Sequence, residues 1–330
     1  MSAPTPVCLL RREYEPVALL AAHPPVLRHP HKNLLFELTC PPGAVHEGSI
    51  VLTRWRALSL PATVELAATE VLAVPGTYDY SGSDAGVWHV NFADPQLFIG
   101  YGSALLAQDE TQAAEHPVLG SLREALLDEG LPATTEVDDE ATPVLVAGAE
   151  RRCAISTEPD RAAGRPLGLY GNRFAAAPAN VIRAAVRVLR PPTRTNLIAI
   201  AAPAGGRGLY FRHQLERILT TAYTGFSAAV AESHRQWPGT PVEVRTGFWG
   251  CGAFGGNRQA MTLLQLLAAR LAGVDRLRFY AFDDAGQTDF RKGAADFERV
   301  LAAGTPGEAL AELIERIGDL DYAWGVSDGN

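Results

Sequence analysis

The sequence predicts an α/β fold, and three observations carry the prediction. From Gly86 onward, short apolar runs of strand length alternate with longer segments of helical periodicity. At residues 90–110 (VNFADPQLFIGYGSALLAQDE) a hydrophobic strand passes through a glycine-containing loop into a helix start that bears two adjacent carboxylates, Asp109 and Glu110. At residues 246–257 (TGFWGCGAFGGN) another strand passes through a glycine-rich loop into another helix. In sheets of this class, ligands are expected beyond the carboxyl ends of the strands. Both loops fall there, and together they read as two halves of an anion-binding cleft with an acid at its mouth.

The elements follow in order. Residues 1–75 are rich in proline and histidine (His23, Pro24, Pro25, His29, Pro30, His31) before alternating runs at 49–52 and 64–74. This pattern predicts an N-terminal accessory segment packed on a main domain spanning 76–330. The prolines between the histidines favour extended surface chain over a metal site. Residues 87–92 read as strand, 103–115 and 121–127 as helix, and 143–147 (PVLVA) as a short buried strand. A helical stretch near 181–189 precedes a strand at 197–201 (LIAIA). Over 211–230, Leu215, Ile218, Leu219 and Tyr223 recur at helical spacing. A strand at 242–246, a helix at 258–271 and a strand at 277–282 complete the alternation. Residues 136–140 read as a solvated acidic loop, and no internal repeat is present.

Composition narrows the function. A hydrophobic content of 47% with 20% charged residues is that of an ordinary globular enzyme. The net charge of −8 argues against a bulk electrostatic grip on nucleic acid, and no sequence-specific nucleic-acid binding is expected. Lys32 and Lys292 are the only lysines; arginine supplies the remaining side chains of that class. Cys8, Cys40, Cys153 and Cys251 are widely spaced with no CxxC pair, so neither a zinc site nor a disulfide framework is expected. A reducing cytoplasm is the default location for such a chain. Arg11, Arg12, Glu13 and Glu15 interrupt any leader-like apolar run, and no stretch has the length and apolarity of a membrane span.

The two loops carry the chemistry. Glycines between a strand and a helix let backbone N–H groups turn toward a phosphate with no β-carbon in the way, and the helix start adds its dipole. The same glycines also suit a tight packed turn. The segment is neither a Walker A loop, since GK[ST] is missing, nor a Rossmann fingerprint. The neighbouring carboxylates of Gln108-Asp109-Glu110 can divide roles, one ionised and the other keeping a raised pKa to donate a proton. Cleavage of a glycosidic bond needs such a proton on the leaving oxygen. The alternative is a pair of acids that complements the helix dipole.

Taken together, these segments resemble the catalytic domain of the poly(ADP-ribose) glycohydrolase family. That family reads V-D-F-A-N, then G-G-G, then Q-E-E. This chain reads Val90-Asn91-Phe92-Ala93-Asp94, Phe98-Ile99-Gly100 and Gln108-Asp109-Glu110, without a gap. The family's T-G-N-W-G-C-G-A-F-G-G-D stands at 246–257 with two changes, Phe248 and Asn257. Gly76-Thr77-Tyr78-Asp79, residues 144–150 and Ala222-Tyr223-Thr224-Gly225-Phe226 are similar to its flanking segments, so the likeness spans roughly 70–285.

The resemblance implies a macrodomain-like mixed sheet flanked by helices. It also implies a hydrolase of ADP-ribosyl glycosidic bonds, with no cofactor and no metal, because the mechanism asks only for proton transfer. Glu110 would be the general acid and Asp109 its partner that orients the distal ribose. Asp79 and Gln108 would lie by the adenine, and Phe282 would stack on it. The loop from Gly250 to Gly256 would hold the pyrophosphate, and Phe248, Gly250, Cys251, Gly252, Ala253, Phe254 and Gly255 would bind the substrate. Asp94 and Gly100 would border the ribose, and Tyr170 is the nearest counterpart of the family's loop tyrosine. Phe98 and Ile99 replace two family glycines, so two bulky side chains are expected to reshape that wall. The expected partner is an ADP-ribose-containing substrate, bound by a cytoplasmic monomer: the polymer, an ADP-ribosylated macromolecule or an NAD-derived metabolite. The alternative is a non-catalytic ADP-ribose-binding module.

Overall fold

A computed structural model describes residues 4–81 and 85–329. In chain order the elements are β1 (Cys8–Tyr14), α1 (Pro16–Ala22), α2 (Pro30–Thr39), β2 (Ile50–Trp55), β3 (Glu70–Val74), β4 (Val87–Ala93), α3 (Gln108–Glu115), α4 (Val118–Asp128), the two-residue strands β5 (Glu136–Val137) and β6 (Glu140–Ala141), β7 (Val144–Ile155), α5 (Arg173–Ala176), α6 (Ala179–Ala185), β8 (Val186–Ala201), α7 (Arg212–Gln236), β9 (Glu243–Gly247), α8 (Arg258–Ala272), β10 (Arg276–Tyr280), α9 (Asp284–Ala302) and α10 (Leu310–Gly318). Among the described residues one large sheet runs β1-β2-β7-β8-β4-β9-β10-β3. The β1–β2, β2–β7 and β7–β8 pairs are antiparallel, whereas β8–β4, β4–β9, β9–β10 and β10–β3 are parallel. This is the mixed sheet that the sequence predicts.

Side-chain alternation sorts the sheet into two cores. Leu145, Ala147, Ile198 and Ile200 face one core, shared with Leu215, Ile218 and Leu219 of α7 and with the apolar side of α8. Val144, Val146, Leu197 and Ala199 face the other, shared with Leu19 of α1 and Leu119, Leu122 and Leu126 of α4. Helices therefore cover both faces, and β4 is buried along nearly its whole length, as a central strand must be.

Residues 8–74 supply three strands to this sheet, β1 and β2 at one side and β3 at the opposite edge. The stretch expected to be an accessory segment is thus hydrogen-bonded into the main sheet. Two helix expectations shift. The stretch at 103–115 becomes helical only at Gln108: the Ser103 hydroxyl accepts the Leu105 N–H, and the Glu110 carboxylate reaches back to Ala107 N at 3.0 Å, which sets the start of α3. The helix near 181–189 stops at Ala185, because Val186 and Val188 extend to pair with Ile155 and Cys153 of β7. Among the described residues no helix is long and apolar enough to cross a membrane, and no group of three or more His, Cys, Asp or Glu is placed to hold a metal ion.

Candidate active site

The cleft opens where two parallel strands part. β4 pairs with β9 only over Val87, Trp88 and His89. Beyond that point the Gln108 side chain takes over the missing ladder: its Oε1 accepts the Phe92 N–H at 2.8 Å and its Nε2 donates to Val90 O at 3.2 Å. The gap widens into a cleft of about 1010 Å³ at the carboxyl ends of β4, β9 and β10, where the topology of an α/β sheet places ligands. Tyr78, Tyr80, Phe92, Tyr280 and Phe282 give it an aromatic side, and Arg173 and Arg258 bring positive charge to it.

Asp109 and Glu110 lie together in the first turn of α3, each 6% exposed. Asn91 Nδ2 donates to Asp109 Oδ1 at 2.9 Å. Glu110 Oε2 accepts the Ala107 N–H, and Oε1 faces Gly100 so closely that a β-carbon there would overlap it. Burial raises the pKa of both carboxyls, and Glu110 raises that of Asp109 further while the Asn91 amide opposes the shift. Lys32, on α2, is buried next to them, with Nζ 3.4 Å from the Glu110 carbonyl oxygen. Asp94 adds negative potential to both acids, and its carboxylate closes a turn by accepting the Gln96 N–H at 2.8 Å.

The glycine segment forms the opposite side. β9 ends at Gly247, where a β-carbon would come 2.9 Å from Tyr280 O. Gly250 has φ 74° and packs against Ala202, and Gly255 has φ 70°. Cys251, Gly255 and Gly256 donate their N–H groups within the loop, to Phe248, Gly252 and Gly250. The Gly252, Ala253 and Phe254 amides donate to no backbone carbonyl among the described residues, as a phosphate cradle requires. Asn257 Oδ1 caps α8 by accepting from Gln259 N and Ala260 N. Phe248 lies under the Arg258 guanidinium, 4.9 Å away.

The C-terminal stretch crosses this loop. Trp324 stacks on Tyr210 with ring centroids 4.3 Å apart, and Asn257 Nδ2 donates to Ala323 O at 2.8 Å. From that anchor the chain passes over Gly255 and Gly256; Asp328 N donates to Gly252 O at 3.4 Å, and Asn172 Nδ2 donates to Gly329 O at 3.1 Å. Gly325, Val326, Asp328 and Gly329 line the cleft.

The structure brings Gln108, Phe248, Cys251, Gly252, Phe282 and Tyr170 to the cleft surface. Asp109 and Glu110 sit behind that surface, Gly100 backs Glu110, and Gly250 and Gly255 shape the loop from beneath. Phe254 packs partly into the core, and Ala253 is exposed. Asp79 faces outward, bonded to Ser81 N at 2.9 Å and 3.5 Å from Arg151 Nη1. One expectation is corrected. Phe98 does not line the site: it is fully buried among Leu97, Leu119 and Leu122, while its backbone keeps a left-handed φ of 54°. The loop therefore retains a backbone course typical of glycine and turns the ring into the core, and Ile99 is partly exposed outside the cleft lining. Sequence reasoning missed Lys32, the Glu115–Arg151 pair beneath the cleft (2.6 Å) and residues 325–329. The rarity of lysine was the one signal that pointed to any of them.

Residues 170–289 match the family model described as poly(ADP-ribose) glycohydrolase, macro domain fold. Over this stretch the chain is similar to the macro domain of the poly(ADP-ribose) glycohydrolases. The matched stretch contains the whole glycine segment, β9 and β10, but not the acids of α3. Solved structures with a similar arrangement include the poly(ADP-ribose) glycohydrolase of Thermomonospora curvata bound to the inhibitor ADP-HPD (17% identity over 86% of this chain and 84% of that one, TM-score 0.42). Another is the poly(ADP-ribose) glycohydrolase of Deinococcus radiodurans in complex with ADP-ribose (14% identity over 89% and 95%, TM-score 0.41).

Proposed function

We propose that this chain is a hydrolase of ADP-ribosyl glycosidic bonds, with Glu110 as general acid and then base. The observation that carries the reading is the pair of buried carboxyls of raised pKa behind a cleft whose other side is a glycine loop in which the Gly252, Ala253 and Phe254 amides donate to no backbone carbonyl among the described residues. Since Oε2 of Glu110 accepts an N–H bond, the proton belongs on Oε1, which packs into the space left by the missing β-carbon of Gly100. The diphosphate would lie along residues 250–256 near Arg258, with the adenine between Tyr78, Tyr280 and Phe282. Asp109, held by Asn91, would orient the ribose. Gln108 serves this site by keeping β4 and β9 apart, because its amide is committed to the β4 backbone. The four free thiols accord with a cytoplasmic protein, and a monomer suffices because the described residues of one chain supply the whole cleft.

The test is release of ADP-ribose from polymeric and mono-ADP-ribosylated substrates by wild type and Glu110→Gln. Loss of a general acid lowers kcat by about 10²–10⁴, and affinity for free ADP-ribose should stay within a few-fold. A Glu110→Gln protein of normal turnover would remove the mechanism. A second reading, a binding module without turnover, is favoured by the low exposure of both acids and by the C-terminal stretch lying over the glycine loop. It predicts ADP-ribose binding with no release from any conjugate.

A further inference from the structure

Lys32 is a charge that the acid pair alone does not explain. The chain has 29 lysines and arginines, and only Lys32 and Lys292 are lysine; Lys292 is exposed on α9, whereas Lys32 is 2% exposed. Its ammonium donates to the Glu110 carbonyl at 3.4 Å and lies 5.6 Å from the centre of the Phe174 ring. An ammonium removed from water and held by one carbonyl and one ring is costly unless opposite charge lies close by.

The opposite charge comes from α3. Glu110 and Asp109 are the groups that act on Lys32 by charge. Among the described residues no other carboxylate acts on Lys32 by charge; β7, bonded to the end of α2 through Arg152 and Thr39 O, carries Glu150, which is paired with that Arg152. α6 carries Arg183, which lines an outer groove with His31 and Leu34, and β8 carries Arg187, Arg190 and Arg194. On α2 itself Glu37 is exposed, and at its start His29 accepts the His31 N–H. Burial lowers the pKa of Lys32 to about 8 while the two carboxyls hold it up, so the ammonium persists at neutral pH.

We propose that Lys32 is a positioning residue of the acid site: its ammonium is the internal counter-charge that lets the Asp109–Glu110 pair carry one negative charge while buried. This rests on reading Glu110 as the acid. In the cleavage step the bond from the anomeric carbon to the leaving oxygen breaks, its electron pair stays with that oxygen, and the Glu110 proton moves there. In the next step water bonds to the anomeric carbon and gives a proton to the Glu110 carboxylate. Between the two steps Glu110 is anionic in a buried place, and Lys32 is the cation that makes this state accessible. A purely structural lysine would fix the turn of α2 through the Glu110 carbonyl without setting the charge of the pair.

The test uses the full chain as wild type, Lys32→Met, Lys32→Gln and Lys32→Arg. Lys32→Gln can keep the bond to the Glu110 carbonyl without the charge, and it serves if the methionine variant does not fold. Residue-resolved carboxyl ¹³C titration needs no turnover. The Glu110 and Asp109 transitions should move to higher pH by about one unit in the neutral variants, the scale set by a nearby buried opposite charge. The His29 signals are followed alongside, since Lys32 also acts on that ring. In kinetics, the neutral variants should shift the pH profile to the alkaline side. They should lower kcat at neutral pH about tenfold, as one pKa unit implies, with KM within a few-fold, and Lys32→Arg should restore the profile. Carboxyl titrations that stay in place in a folded neutral variant would overturn the proposal. A wild type that releases nothing from any ADP-ribosyl conjugate would instead defeat the functional reading, and the titration would still decide the role of Lys32.

Discussion

Gly100→Ala is the smallest change that should disable the site. Gly100 is not in the left-handed region, so alanine is compatible with its backbone and the effect is steric. The added β-carbon would overlap Glu110 Oε1 and come 2.9 Å from its Cδ and 3.0 Å from its Cγ, inside ordinary contact at 3.4 Å. The carboxyl group must retreat by about half an ångström at Cδ and further at Oε1. It cannot retreat freely, because Ala107 N–H holds Oε2 at 3.0 Å. Loosening that cap costs about 1 kcal/mol, which lowers Tm by about 2 °C in a chain of this size. Displacing a reacting group by about an ångström costs on the order of 10²-fold in rate. We therefore expect kcat to fall by about 10² while KM and the Kd for ADP-ribose stay within a few-fold. Chromatographic measurement of ADP-ribose release at saturating conjugate, with calorimetry and a melt on the same preparation, reads all three. Wild-type turnover in a folded Gly100→Ala protein would refute the placement of Glu110 at the reacting bond.

Three further outcomes follow from the same geometry. Asp328→Asn should tighten ADP-ribose binding several-fold by calorimetry, because it removes a carboxylate lying 3.1 Å from the β-position of Gly252, where the diphosphate is expected; unchanged or weaker binding would place the diphosphate elsewhere. Phe98→Gly should not open the site for polymer. It empties a fully buried ring position at a cost of about 3–5 kcal/mol, offset by about 1 kcal/mol of relieved left-handed backbone, so denaturant melts should show a large loss of stability and polymer cleavage should not rise. Activity should fall on the alkaline side: burial raises both carboxyls, so the donatable proton is held to higher pH than on an ordinary carboxyl and is lost as pH rises through the raised pKa values. A pH–rate profile still rising through alkaline pH would exclude a buried carboxylic acid as the proton donor.

The sequence alone determined the alternation of strands and helices, the two loops at strand ends and the residue types in them, because these depend on local periodicity and on glycine's backbone freedom. The 246–257 segment was legible for that reason: Gly250 and Gly255 do adopt the positive φ that only glycine takes without strain. Tertiary structure decided what local patterns do not encode. Nothing in Phe98 says that its ring turns into the core, because that depends on Leu119 and Leu122 of α4. The Gln108 side chain lines the cleft, but only the separation of β4 from β9 shows that its amide also satisfies Val90 O and Phe92 N. Residues 8–74 looked accessory because their alternating runs do not say what they pair with, and only long-range pairing shows β1, β2 and β3 to be strands of the main sheet, β1 and β3 at its edges. Lys32 and Asp328 reach the site from 78 residues before and 218 residues after Glu110. Contacts at such separations are fixed by packing and charge in the folded chain, so they become visible only when the sheet has brought them together.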